Sequence, residues 1–315
     1  MGGIEIREST FEDIPQIIEV LKASLGEVSS KKTEAVWKYK HLDNPFGKSL
    51  VLIAVKGDLI IGVRAFMKWK WQLGNEDLFA YRAVDTATHP DYQGKGIFKK
   101  LTLEAVEIAR RQENSFIFNT PNSQSLPGYL KMGWKEVDKL KVRIHPRNLL
   151  SWSKNKTPAT IEIKNFSENT LVELISNYNT IKAKENKLFT FKSQEHLCWR
   201  FENNPLQEYE VRSGRDFYMA AYIKKHKYFR ELRISEHIYY NESGLKEIKK
   251  VIKSLNRKYK PQIITTAGLN IGFGVSGNYG PVLTLNKLNL GSDKDLDELM
   301  KINNWANTLG DLELF

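Results

Sequence analysis

The chain has 315 residues, 41% hydrophobic and 27% charged, the make-up of a globular protein of one or two domains and not of a disordered one. Its net charge of +11 is shared by both halves and does not gather in one patch, which favours mild attraction of anionic small molecules and argues against nucleic acid as a partner. The absence of a long apolar run, a secretory leader pattern and zinc-like spacing among six histidines, together with a single cysteine, Cys198, predicts a cytoplasmic protein with no membrane span, metal or internal disulfide.

Ile4-Glu5-Ile6-Arg7 alternates and predicts a short strand. Ser9, Thr10 and Asp13 offer capping groups, and Ile14, Ile17, Ile18 and Leu21 make a helix face that Gly26 ends. The polar residues 27–36 predict a loop and the start of a second helix, running through Trp37, Tyr39 and His41 to Pro45. Residues 49–55 and 59–68 predict two strands around Lys56-Gly57-Asp58, a hairpin signal, and residues 69–80 a further hairpin around Gly74-Asn75.

The apolar, β-branched residues 83–88 predict another strand. His89-Pro90-Asp91-Tyr92 predicts a turn, because proline cannot continue a ladder. Gln93-Gly94-Lys95-Gly96 follows, and then Ile97, Leu101, Ala105, Ile108 and Ala109 fall at helical spacing up to about Arg111. Strand, glycine loop and helix in this order suit an anion. The first helical turn leaves N–H groups unpaired at the positive end of the dipole, and glycines let backbone lie against a bulky group. A pyrophosphate is the natural occupant, with Lys95 adding charge beside it. The spacing is neither that of a P-loop nor that of the full dinucleotide fingerprint. Residues 116–118 predict a strand, 124–132 a short helix and 135–144 a last strand.

The run from Thr86, Ala87 and Thr88 through Gln93, Gly94, Lys95 and Gly96 to Ile97 and Phe98 resembles the acetyl-CoA loop of the GCN5-related N-acetyltransferases (GNAT). Their pattern is Gln/Arg-x-x-Gly-x-Gly/Ala after a strand ending near a proline. Asn122, followed seven positions on by Tyr129 and then by Gly133-Trp134, resembles the family's second signature. Together the two motifs cover about residues 80–137. Phe98 departs from the pattern, standing where most members have Gly or Ala.

The polar residues 151–158 predict a linker, after which the chain echoes its own beginning. Residues 161–164 echo 4–7, residues 199–205 echo 37–45, and Gly214-Arg215-Asp216 echoes the hairpin at Gly57. Residues 245–255 echo the glycine-loop helix and Ile263-Ile264-Thr265 echoes Phe116-Ile117-Phe118. Five echoes in one order predict an internal duplication. The second copy has no Gln-x-x-Gly and no Tyr-x-x-x-Gly-aromatic, so it reads as a catalytically silent domain that walls the acceptor groove. Its residues 271–285 predict turns and a closing strand. With the resemblance, the expected architecture is α+β: two GNAT-like domains, residues 1–150 and 159–315, each a twisted, mostly antiparallel mixed sheet flanked by helices.

The resemblance further implies an N-acetyltransferase that moves an acetyl group from acetyl-CoA to a primary amine of a small molecule or sugar nucleotide by direct attack. It implies that Thr86, Ala87 and Thr88 bind the pantetheine arm through backbone groups. Gln93 to Phe98 would hold the pyrophosphate, Asn122 would contact the coenzyme arm, and Tyr129 would protonate the leaving thiolate. A cell-wall-type aminoacyl transferase, a protein N-acetyltransferase and an acetyl-CoA-sensing protein are the alternatives. The general base is not evident, since Asp85 lies mid-strand and reads as a structural carboxylate. The stretch from Trp305 to Phe315 is apolar enough to dock. In some tandem acetyltransferases that the chain resembles, the C-terminal carboxylate enters the site as the base, which makes Phe315 a candidate, with Asp311 and Glu313 behind it. Acceptor identity and oligomeric state stay open in the sequence.

Overall fold

The computed structural model of the chain describes residues 3–26, 31–147, 168–291 and 293–312. The first half runs β1 (Glu5–Glu8), α1 (Ile14–Leu25), α2 (Glu34–His41), β2 (Leu50–Lys56), β3 (Leu59–Leu73), β4 (Glu76–Thr88), α3 (Ile97–Arg111), β5 (Phe116–Asn119), α4 (Leu126–Lys131), β6 (Lys135–Lys139) and β7 (Val142–Pro146). The second runs α5 (Glu168–Lys184), β8 (Phe189–Thr190), α6 (Gln194–Leu197), β9 (Glu210–Gly214), β10 (Phe217–Lys225), β11 (Arg230–Tyr239), α7 (Glu242–Tyr259), β12 (Ile263–Thr266), β13 (Val275–Gly277) and β14 (Val282–Lys287). Short helices, Asp293–Leu299 and Leu309–Leu312, follow.

Local signals explain most of this. Ile14, Ile17, Ile18 and Leu21 are buried on α1, as their spacing requires, and Gly26 ends that helix at φ 66°. The hydroxyl of Thr33 accepts from Val36 N and starts α2. One expectation fails: β3 does not break near Lys68. Trp69 and Trp71 continue its inward-facing set and are fully buried, so the alternation carries the strand on to Leu73.

Two sheets form, and each borrows a strand from the other half. The first has the order β1-β2-β3-β4-β5-β14-β6, with β8 beside the far end of β3. The second has the order β13-β7-β12-β11-β10-β9. Thus β14, from the C-terminal half, fills the slot between β5 and β6, and β7 fills the matching slot between β12 and β13. The last strand predicted in the first half, residues 135–144, is therefore two strands in two different sheets. The closing strand predicted in the second half closes the first sheet. The first sheet is not complete by residue 147, as the sequence suggested, because its own last strand has been exchanged. The linker 151–158 and the echo at 161–164 lie outside the described residues.

The exchange leaves two equivalent layouts, β2-β3-β4-β5-β14-β6 and β9-β10-β11-β12-β7-β13. Each also has a register shift in the strand pair that precedes its long helix, leaving Asp85 unpaired in β4 and Ser235 unpaired in β11. α3 packs on one face of the first sheet and α7 on the corresponding face of the second. The halves meet across α2, where Tyr39 Oη donates to Trp199 O at 2.7 Å and Trp199 Nε1 donates to Tyr39 O at 2.8 Å.

Candidate active site

β4 and β5 run parallel only from Ala80–Phe116 to Arg82–Phe118. β4 then continues to Thr88, so from Ala83 onward one of its edges has no strand beside it among the described residues. Its backbone N–H and C=O groups along that edge suit an extended ligand. This fork opens beneath the head of α3.

The glycine loop has the predicted form. Gly94 and Gly96 sit at φ 75° and 74°, a region that costs other residues strain, and Gly96 is the N-cap of α3. A Cβ built on either would meet nothing within 4 Å, so the space in front of the first-turn N–H groups is open. α3 is pressed onto the sheet at Gly62, where a Cβ would come within 2.8 Å of Ile97 Cγ2. Gln93 Nε2 donates to Thr88 O at 3.2 Å and ties the loop back to its strand. Lys95 departs from its expected role: its Nζ donates to Asp91 O at 3.1 Å and lies over the Tyr92 ring. Thr86, Ala87 and Thr88 line the open edge; Ile97 is buried against the sheet, while Phe98 stands edge-on to Tyr129 with ring centroids 5.8 Å apart. Phe98 thereby links α3 to α4.

Tyr129, on α4, is 3% exposed and packs on Trp134 at 5.2 Å as well. Its phenol oxygen accepts from Arg64 Nη1 at 2.7 Å. A guanidinium can only donate, so the Tyr129 O–H proton is directed elsewhere. Arg64, on β3, is fully buried, and its Nε and Nη2 have no partner among the described residues. The charge is instead covered by the rings of Phe66, Phe98 and Tyr129, 4.7, 5.7 and 5.2 Å from the guanidinium carbon. A buried cation with unmet donors is costly unless a ligand meets them. Asn122 caps the turn into α4, its Oδ1 accepting from Gln124 N, Ser125 N and Ser125 Oγ. That duty uses its oxygen and leaves its exposed amide group at the rim.

The other face of β4 holds a cluster that sequence reasoning underrated. Asp85 sits at the bulge with φ 34°, a strained value outside glycine. Its carboxylate takes Lys40 Nζ and His41 Nε2, both from α2, the latter at 3.0 Å. Burial would raise the Asp85 pKa, but the Lys40 charge and the His41 hydrogen bond overcome it and hold the group well below the usual range. Burial pushes His41 down, so it is neutral, donates from Nε2 and accepts at Nδ1 from Ser49 Oγ at 2.8 Å. The signal was one carboxylate in an apolar strand, with a Lys-His pair upstream that only tertiary structure brings to it.

The C-terminal stretch docks at the fork. Arg82 donates through Nη1 to Asp311 O at 3.1 Å and through Nη2 to Leu312 O at 2.7 Å, and Thr120 Oγ1 donates to Leu312 O at 3.3 Å. Trp305, Leu309 and Leu312 are buried, as their apolar pattern foretold. Asp311 is not a site base: it shares Lys192 with Glu236 in a buried cluster, at 2.9 and 2.7 Å. Phe315 and Glu313 lie outside the described residues.

Residues 5–137 match the family model of the acetyltransferase (GNAT) domain. This segment is a GNAT domain. The match spans the fork, the glycine loop and Tyr129, and stops before the exchanged strand β7. None of the curated proteins matches the chain. Among solved structures, the chain is similar to a conserved protein of unknown function from Enterococcus faecalis, described as a probable N-acyltransferase. The TM-score is 0.68 at 11% identity, over 91% of this chain and 73% of that one. GCN5-related N-acetyltransferases from Anabaena variabilis (TM-score 0.63, 13% identity, 91% and 74% covered) and Kribbella flavida (0.63, 11%, 90% and 71%) are similar over the same extent. At these identities the likeness is one of fold, and it extends through both halves, beyond the segment of the GNAT domain. No helix among the described residues is long and apolar enough to cross a membrane.

Proposed function

We propose that the chain transfers the acetyl group of acetyl-CoA to the primary amine of a small molecule or sugar nucleotide by direct attack. The observation that carries this reading is Tyr129 pinned by Arg64 beside a fork headed by an open, left-handed glycine loop. In it, the pyrophosphate lies on the first-turn N–H groups from Gly94 to Phe98. The pantetheine arm follows the open edge of β4 at residues 86–88 and carries the thioester into the fork.

The amine enters with its lone pair free, from the face of Asp85 and the docked C-terminal stretch. Its nitrogen forms a bond to the thioester carbon, the C–S bond breaks, and the sulfur takes the electron pair. The Tyr129 O–H gives that thiolate its proton; a phenol, with pKa about 10, is a donor at neutral pH. Arg64 holds the phenol oxygen in place and balances the charge left on it. Its two remaining donor nitrogens offer bonds to an oxygen of the coenzyme arm. The proton shed by the amine leaves to water at the mouth of the fork. Positioning supplies much of the acceleration.

The experiment is release of free thiol from acetyl-CoA across a panel of small amines and amino sugars. Wild type is expected to turn over at least one of them, and Tyr129→Phe to lose roughly 100- to 10,000-fold in kcat with acetyl-CoA affinity kept. Equal turnover by Tyr129→Phe would remove the proton-donor role.

A further inference from the structure

A cavity of about 520 Å³ occupies, in the second half, the place that the fork occupies in the first. β11 and β12 are parallel only from Glu231–Ile263 to Arg233–Thr265 and then part. The head of α7 faces the opening, as the head of α3 faces the fork.

The wall of this cleft carries buried polar atoms that nothing satisfies. His237 Nε2 lies 2.9 Å from Ala267 O. A carbonyl only accepts, so Nε2 carries the proton and Nδ1 presents a lone pair. That Nδ1 has no partner among the described residues, and neither have Oδ1 and Nδ2 of Asn307. His237 is 7% exposed and Asn307 6%. They flank Gly268, where a Cβ would lie 3.4 Å from Asn307 O and 3.9 Å from the His237 ring. Burial lowers the His237 pKa to about 4, so the ring is neutral at physiological pH. Buried groups of this kind are met by a ligand or by water in folded proteins.

A second coenzyme is the wrong occupant. The glycine loop has no counterpart here, the Asn241 side chain already accepts from Gly244 N, and Glu242 puts negative charge in the first turn of α7. The unmet atoms are one donor group and two acceptors. We propose that this cleft binds a neutral small molecule through a primary carboxamide held by His237 and Asn307, with its apolar body against Tyr178, Tyr239 and Trp305. One amide N–H meets Asn307 Oδ1, the other meets His237 Nδ1, and the amide oxygen accepts from Asn307 Nδ2. A carboxylate brings no donor and an ammonium no acceptor. The site stands apart from acetyl transfer and does not rest on it.

Calorimetric titration of the full chain with benzamide, benzoate and benzylamine tests this. Benzamide is expected to bind with a Kd of about 1 mM or tighter, within the range open to so small a probe. Benzoate and benzylamine are expected to bind at least tenfold more weakly, and saturating acetyl-CoA to leave benzamide binding unchanged. Asn307→Leu and His237→Phe are each expected to weaken benzamide at least tenfold. Asn307→Asp keeps the size and swaps amide for carboxylate, so it is expected to lose benzamide and gain benzamidine, which separates recognition from collapse of the wall. The proposal is overturned by no benzamide binding at about 10 mM, by equal binding of the three probes, by variants that bind as wild type does, or by competition with acetyl-CoA, which would put the probe in the first cleft.

Discussion

Replacing Arg64 with methionine should move activity and stability in opposite directions. The side chain is fully buried, touches Tyr129 Oη at 2.7 Å, and has two nitrogens without partners among the described residues. A hydrogen bond from a charged donor is worth about 1.5–3 kcal/mol. If that bond fixes the phenol for proton transfer, its loss corresponds to roughly a 10- to 100-fold fall in kcat, at about 1.4 kcal/mol per decade. The same change removes a buried charge without a carboxylate beside it and replaces it with an apolar chain of similar volume. Such replacements are commonly neutral or stabilising by about 1–4 kcal/mol. Steady-state thiol release with acetyl-CoA varied, alongside thermal unfolding, reads both. The expected result is a reduced kcat, an acetyl-CoA KM within about threefold of wild type, and a Tm that is unchanged or higher. A variant of full activity would show that Arg64 does not position Tyr129, and one that unfolds at a much lower temperature would show that the guanidinium is a structural strut.

Gly62→Val should push the first turn of α3 off the sheet, since a Cβ there already meets Ile97 at 2.8 Å; the expected signs are a loss of about 1–3 kcal/mol in urea unfolding and weaker acetyl-CoA binding. A chain of residues 1–147 lacks β14, whose Leu283 and Leu285 are buried between β5 and β6. It should show no cooperative melt, and a sharp transition would contradict the strand exchange. Folding should also weaken in mild acid. His237 is lowered by burial from 6.5 to about 4, so the unfolded chain takes up the proton first. That part of the stability is complete above pH 6.5 and falls by about 3 kcal/mol as the pH drops toward 4. His41 and His196 are lowered by burial as well and add in the same direction. Urea midpoints at neutral and acid pH check the slope, which His237→Phe should make shallower.

The glycine loop, its helix and Tyr129 were legible because each is a local pattern: positive-φ glycines, a 3.6-residue apolar period, and a tyrosine at a fixed interval on a short helix. The duplication was legible for the same reason, as a sequence of local echoes. The strand exchange was not. β7 and β14 read as ordinary closing strands, and alternation records which face a strand buries but not which sheet it joins. Arg64 was hidden inside a run of apolar residues in β3, where its charge counted as an interruption and not as a partner for a tyrosine 65 positions on. Asp85 was seen and discounted, because the bulge, Lys40 and His41 that give it meaning are assembled only by the fold. His237 and Asn307 gave no signal, since two common polar residues become informative only when burial leaves them unmet.

The account turns on acetyl-CoA lying with its pyrophosphate on the loop from Gly94 to the head of α3. Calorimetric titration of acetyl-CoA into wild type, Gly96→Asn and Gly96→Glu tests that directly. Gly96 has φ 74°, which asparagine tolerates, and open space before it, so the asparagine variant reports crowding and the glutamate variant crowding plus negative charge. With circular dichroism unchanged in all three, the account predicts saturable binding by wild type, weaker binding by Gly96→Asn and none by Gly96→Glu. Acetyl-CoA binding by Gly96→Glu at wild-type strength would contradict it.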